Sequence, residues 1–593
     1  MNLALIDWII IALFIGISFY IGIRVKNTAG KSLSHFFLGG RNLPWYIAGV
    51  SMVATTFAAD TPLAVTEIIA KNGISGNWLW WSFLIGGLLT TFFFANLWRK
   101  ANILTELEFL ELRYSGKFAQ FLRGFKSVYL GIFLNTIIIG WVNSAMITIL
   151  MIFLDIDKES AFYLTFGLMI IVAIYSAMSG LLGVAITDFL QFIIAMTGSV
   201  ILAVIVVNSD SIQGISGLMG RLEPSTLKFI PDFGSDSPGQ ISMFALFVLL
   251  SVTWWASWFP GNEPGGGGYI SQRMMSAKNE KNAVLSSLFF QFAHYALRPW
   301  PWIIVALCTL VLYPDLEKPQ EGYVMIMRDF LPAGLKGLLL AAFFGAYMST
   351  LSTHFNWGAS YITNDLYKRF ISPPKSEIET EEESKHYIKA ARWITVIIMA
   401  IAFIFSFFID SLKGAWEFLL ASGSGLGAVL ILRWYWYRIN AFTEFIATLA
   451  PFVGYSISEL VIKEHLISKV EYDHNQIALL FTAGFTTVCW LITVFVTKPE
   501  SDLVLEKFYK RVKPAGFWGK FSNTEDRKVG KKRMINLAVC WASAIISIYS
   551  ALFFIGKLIL LQYEMSAVFF STSLFFAFIL RYFLKKSGIL TDS

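Results

Sequence analysis

About fifteen stretches of this chain, each roughly twenty residues long, carry so few charges that each would cross a bilayer as a helix. In lipid an α-helix satisfies its own backbone hydrogen bonds, whereas an open strand does not. The chain therefore reads as an all-α integral membrane protein with about 15 transmembrane helices. Composition agrees, because 56% of the 593 residues are hydrophobic and only 15% are charged. A formal charge of +7 would point to nucleic acid in a soluble protein. Here most of the 47 Lys and Arg fall in alternate loops, as basic loops facing anionic lipid do. That asymmetry puts the N-terminus outside and the C-terminus in the cytoplasm, in the cell (inner) membrane. The lipid bilayer is the large partner and nucleic acid is excluded, while the oligomeric state stays open. The first run, Leu5 to Ile23, has neither a basic leader nor a small-residue cleavage site and reads as a retained span. Cys308, Cys489 and Cys540 all sit in apolar runs and read as packing residues.

The stretch from Ser51 to Leu63 conflicts with a plain span. It sits inside an expected helix near 46–70 yet holds Asp60, three threonines and Pro62. Pro62 lacks a backbone N–H and crowds the preceding turn, so it is expected to free carbonyls near Phe57 and Ala58. At membrane depth such carbonyls face protein, a water-filled cavity or a small cation. The span expected near 242–270 contains a second interruption, Trp258-Phe-Pro-Gly-Asn-Glu-Pro-Gly-Gly-Gly-Gly268, where four consecutive glycines and two prolines cannot continue a helix. The two interruptions run in opposite directions, five spans apart. Paired breaks in corresponding halves point to a transporter's midplane site. Pro62, Pro260, Pro264 and Gly265 are the expected unwound or gating positions.

This organisation gives an additional N-terminal helix in 1–25 and a first inverted repeat over 45–208. A second repeat covers 242–436, and accessory helices occupy 437–593, with a basic cytoplasmic segment, 498–533, read as lying on the membrane surface. Residues 209–240 and 371–385 read as loop and solvated linker.

Further along, Gly345-Ala-Tyr-Met-Ser-Thr-Leu-Ser-Thr-His354 places the hydroxyls of Ser349, Thr350 and Thr353 on neighbouring faces, with the Ala346 carbonyl one turn before Thr350. Either these hydroxyls bond back to their own helix or, paired with the proline-broken span, they hold a hard cation such as Na+.

With these residues in view the chain resembles the sodium:solute symporter family over roughly residues 5 to 500. The resemblance is carried by Phe37-Leu-Gly-Gly-Arg-Asn-Leu-Pro-Trp45, Ala54-Thr-Thr-Phe-Ala-Ala-Asp60, Tyr175-Ser-Ala-Met-Ser-Gly-Leu181, Thr187-Asp-Phe-Leu-Gln191, Gln272-Arg273 with Ala277-Lys278, and Ser349-Thr350. It implies the five-plus-five inverted-repeat fold of leucine-transporter-like proteins. It also implies a Na+ site made by the carbonyls of Ala54, Phe57 and Ala346 and the hydroxyls of Ser349 and Thr350. Asp188 matches a residue that some members use for a second Na+; pairing with a basic residue is the alternative.

The resemblance implies a secondary active symporter in which inward Na+ flow drives uptake of a small polar organic solute by alternating access. By family geometry the solute lies near Asp60, Thr61, Trp80, Trp254, Trp255 and Glu263. Aromatic faces with carboxylates suit a sugar, and the same set would suit an organic cation. Two departures weaken the sugar lean: Asp60-Thr61 stands where sugar carriers often have an acid followed by Gln, and the Pro-Gly-Asn-Glu-Pro-Gly run is foreign to them. His294 and Arg298 offer an anion site or a buried pair. Amino acids and carboxylates are further solutes, and proton coupling through Asp60, Glu67 or Asp188 is the rival to sodium. A membrane sensor would need a larger cytoplasmic domain than 498–533 provides, and a channel would lack two occluding breaks. No catalytic constellation is present, so the chain is not read as an enzyme.

Overall fold

The computed structural model describes residues 3–232, 239–376, 379–408, 416, 419–420, 423–462 and 471–590. Among these residues, eleven helices are long and apolar enough to cross a membrane. They include α1 (Leu5–Ala29), and the first expected break separates α2 (Trp45–Thr55) from α3 (Thr61–Asn72). Next come α4 (Ile74–Ala101), α5 (Gly116–Leu154) and α6 (Lys158–Val207). The two spans expected at 160–178 and 184–208 form this one run, which turns at Gly180. Gly180 has φ 56° and ψ −167°, and a Cβ there would lie 2.7 Å from the Phe36 carbonyl, so both conformation and space require glycine.

The second break separates α7 (Met243–Ala256) from α8 (Gly268–Ser276), followed by α9 (Glu280–Leu312), α10 (Leu335–Ile371) and α11 (Glu381–Phe408). The start of the span expected at 414–436 lies outside the described residues, which take it up as α12 (Leu426–Tyr435). The remaining apolar helices are α13 (Ala441–Val461), α14 (Glu471–Val496), α15 (Thr524–Ile559) and α16 (Tyr563–Lys586).

The core forms where α10 packs on α6, and α2 packs on α6 and on the first half of α9. α1 lies across α6 and α10. Its Asp7, buried and the one acid of the helix, accepts from the Gly334 and Gly337 amides at 2.7 Å each. A carboxylate at the positive end of α10 meets donors that the helix cannot satisfy itself.

Three loop readings change. The expected loop 209–240 contains a helix, Gly214–Arg221. The linker 371–385 ends sooner than its polarity implied, because Thr380 and Glu383 form a reciprocal cap that starts α11 at Glu381, with three acids in the first turn. The basic segment 498–533 does not lie wholly on a membrane surface. It folds into a helix, Asp502–Val512, whose Phe508 is buried against Phe109, and stacked beside it is a buried Trp518. Phe508, Tyr509 and Trp518 are packing residues there, whereas Phe517 is exposed.

Candidate functional site

α2 stops at Thr55, five residues before the aspartate and without help from proline. The Thr56 hydroxyl turns back onto the carbonyls of Met52 and Val53, at 3.1 and 2.9 Å. Pro62 instead occupies the first turn of α3, where its missing N–H costs nothing. The expectation that Pro62 frees the Phe57 and Ala58 carbonyls is therefore revised for Ala58, whose carbonyl accepts from Thr61 N at 3.2 Å. The carbonyls offered to partners belong to the end of α2, as the last turn of any helix leaves them.

α10 meets that end. The Thr350 hydroxyl lies 3.0 Å from the Ala346 carbonyl on its own helix and 3.0 Å from the Thr55 carbonyl on α2. Of the five expected Na+ ligands, Ala346 and Thr350 meet here directly. Ser349 turns to Asp188, donating at 2.6 Å, and Ser51 donates to the other Asp188 oxygen at 2.5 Å. Ala54 and Phe57 lie at the end of α2, with Phe57 N donating to the Ala54 carbonyl at 3.1 Å. Arg273 of α8 stands 4.0 Å from Asp188 and donates to Thr353 at 2.6 Å. So Asp188 has a basic residue within reach and two hydroxyls bound. Sequence reasoning did not single out Ser51 and Thr55 as ligands; their spacing of four, which puts both on one face of α2, is the signal that would have found them.

Beside this cluster lies a cavity with about 860 Å³ of space between atoms, part of it open to solvent. Asp60, Thr61 and Trp80 line it as expected, and so does Pro260 from the second break. The buried Asp60 has one oxygen, Oδ1, with no hydrogen bond among the described residues. The cavity's aromatic walls are Trp80, Phe83, Trp141, Phe259, Tyr269 and Trp416, only the first of which was expected.

Three expected solute residues do not line it. Trp254 and Trp255 each donate to a carbonyl one turn earlier on α7, Leu250 and Ser251, and the Trp254 ring packs on Trp541 of α15. Glu263 lies behind the glycine run, among Gly267, Gly268 and Glu106. Glu67 likewise turns away and pairs with Lys71 at 2.8 Å.

His294 and Arg298 both line the cavity. A wide turn over Ala293–Leu297, closed by Arg298 N on the Ala293 carbonyl at 3.1 Å, precedes Pro299 and Pro301. Arg298 Nη1 donates to the Val53 carbonyl and to Thr56, both at 3.1 Å, while Nη2 stands 3.3 Å from His294. The guanidinium is thus tied to the end of α2, as the buried-pair alternative required.

The model of the sodium:solute symporter family matches residues 36–450, a stretch that contains both breaks and the α10 hydroxyls. The chain belongs to the sodium:solute symporter family. Among relatives of this symporter, the sodium/glucose cotransporter of Vibrio parahaemolyticus is 25% identical, over 81% of this chain and 89% of its own length. Solute carrier family 5 member 4B of Mus musculus is 23% identical, over 89% of this chain and 83% of its own length. A sodium-coupled sialic acid symporter, solved in a substrate-bound outward-open state, superposes with a TM-score of 0.64 over 84% of this chain and 99% of that one. At 19% identity that likeness carries the fold, which is leucine-transporter-like. The symporter couples solute movement to sodium, and its two broken helices face each other across the cavity.

Proposed function

We propose that this symporter takes up a neutral, hydroxyl-rich solute of sugar-like size, bound in the cavity between the two breaks. The observation that carries the reading is the presence of Asp60 and Arg298 together in one aromatic-walled cavity. A carboxylate oxygen without a partner accepts hydrogen bonds from hydroxyl groups, and the rings cover an apolar sugar face. Arg298 argues against the two charged alternatives. Its positive charge offsets that of Asp60 and so disfavours an organic cation. Its Nη1 is committed to Val53 and Thr56 and its Nη2 stands beside His294, so that Nε, which has no partner among the described residues, is what remains for a carboxylate or an amino acid.

In this reading Na+ binds where Thr350, Ala346 and Thr55 meet, with Ala54, Phe57 and Ser349 as nearby oxygens. Asp188 supplies negative charge one hydroxyl away, through Ser349. Neutral carbonyl and hydroxyl oxygens suit a hard cation of this kind. The membrane potential adds about 2.3 kcal/mol per charge per 100 mV to the drive. The domain boundaries given above, the external N-terminus and cytoplasmic C-terminus, and residence in the cell membrane belong to the same proposal. Their support is the distribution of Lys and Arg along the sequence.

The test is uptake into proteoliposomes under an inward sodium gradient, with labelled hexoses, polyols, amino acids and quaternary amines compared side by side. Saturable, sodium-dependent uptake of a neutral sugar or polyol, weakened by Asp60→Asn, is the expected result. Uptake confined to the amines, or to solutes bearing a carboxylate, would overturn it.

A further inference from the structure

The second break holds an acid that neither the sodium cluster nor the cavity uses. Glu263 is 3% exposed, and neither carboxyl oxygen has a hydrogen-bond partner among the described residues. The glycine run shapes its pocket. A Cβ on Gly268 would lie 2.5 Å from Glu263 Oε1, and one on Gly267 would lie 3.1 Å from both carboxyl oxygens of Glu106. Bare backbone thus lets two acidic side chains share one space.

Glu106 is already satisfied there. Gly268 N and Tyr361 OH donate to its Oε2 at 2.7 and 2.8 Å, and Arg433 Nη2 stands 3.4 Å from Oε1. The other titratable groups facing Glu263 are Tyr269 of α8 and Tyr361 of α10. Arg433 of α12 is shared between Glu106 and Glu444, while Arg273 is engaged with Thr353 and Arg298 with Val53 and Thr56.

We propose that Glu263 is a proton-binding site, occupied in this conformation, whose deprotonation loosens the junction of α8, α10 and α12 around Glu106. Ionised, Glu263 would be a buried charge beside a second carboxylate, with no group positioned to neutralise it. A metal ion would need more ligands, and among the described residues no cluster of three or more His, Cys, Asp or Glu forms a metal site. A proton needs one oxygen. Glu106 joins the start of α8, the far half of α10 and α12, so repulsion from an ionised Glu263 acts on that junction. Asn262 and Tyr269 flank the same segment and line the solute cavity, which connects proton occupancy to the solute. The proposal goes beyond sodium-coupled symport and does not rest on the nature of the solute.

The experiment uses the purified full-length protein in nanodiscs at constant NaCl, from about pH 6 to about pH 9. Infrared difference spectra of wild type against Glu263→Gln should show loss of one protonated-carboxyl band in the variant, and Glu263→Asp should keep such a band. The folded chain would hold a proton that the unfolded chain releases, so the wild-type thermal midpoint should fall as pH rises above the usual glutamate range. Glu263→Gln should flatten that slope. An unchanged band and an unchanged slope in Glu263→Gln would overturn the proposal. So would a midpoint that responds to Na+ through Glu263, with choline chloride as the control, because the site would then hold the metal ion.

Discussion

A single hydroxyl joins the two halves of the sodium cluster. Thr350 bonds at once to Ala346 on its own helix and to Thr55 at the end of α2. Thr350→Val keeps the shape and removes the oxygen, so sodium affinity read from the dependence of solute binding on NaCl is expected to fall tenfold or more, about 1.4 kcal/mol. Thr350→Ser should restore most of it. Asp188 tests the neighbouring half. Asp188→Ala leaves the buried Arg273 without its carboxylate, and loss of one partner of a buried pair costs about 3–5 kcal/mol. Asp188→Asn retains an acceptor for Ser51 and Ser349 and should lower the thermal midpoint less. Ser349 and Thr350 were legible from sequence because adjacent hydroxyls in an apolar span demand an explanation. Arg273 appeared only as part of a family segment, since nothing in its own helix reveals that Asp188 packs 85 positions away in sequence.

At the scale of elements, both breaks could be found in the sequence, but for reasons that differ from the folded geometry. Pro62 marked the first one, yet α2 ends earlier because Thr56 satisfies its last turn, and the proline simply starts α3. Glycines and prolines marked the second, and the tryptophans beside it were expected at the solute, yet Trp254 and Trp255 face α7 itself and the accessory helices. A one-dimensional pattern shows that a helix is interrupted, while the direction of each side chain depends on where the flanking helices point. The glycines themselves are unequal. Gly268 has φ +53° and no room for a Cβ, whereas Gly267 is extended at φ −168°. Gly268→Ala is therefore expected to destabilise by about 1 to 3 kcal/mol through backbone strain alone, and Gly267→Ala by clearly less. Thermal midpoints of the two variants decide between this account and one in which the run is only a flexible hinge.

Across the whole molecule, buried charge ties α5 and α12 to α13. Glu444 of α13 pairs with Lys126 of α5, accepts from Tyr114 at 2.6 Å and takes Arg433 of α12 at 2.9 Å. Glu444→Gln leaves two buried cations short of a partner and is expected to cost about 3–5 kcal/mol, seen as a lowered midpoint and poor recovery in detergent. Closer to solvent, burial pushes the Glu111 carboxyl up, but Arg369 and Arg123 outweigh it and hold the group below its ordinary value. Such pairing stabilises above the unfolded glutamate value, about 4.3, and is lost as pH falls through the folded one. The midpoint should drop on acidification, and Glu111→Gln should flatten that drop. The membrane class and paired breaks were legible because lipid imposes long apolar runs. This network was not, because its members come from helices far apart in the sequence and each looks like an ordinary charge near the end of a span.

The central claim is that sodium binds where α10 meets the end of α2, and it is tested most directly by thermal stability in NaCl against choline chloride at equal ionic strength. A ligand that binds only the folded state stabilises it by RT ln(1 + [L]/Kd), about 2.7 kcal/mol at a hundredfold excess over Kd. The account predicts a saturable, sodium-specific rise in the wild-type midpoint that the combined Ser349→Ala and Thr350→Ala variant loses. A wild-type midpoint indifferent to the cation, or a variant that keeps the full sodium response, would contradict it.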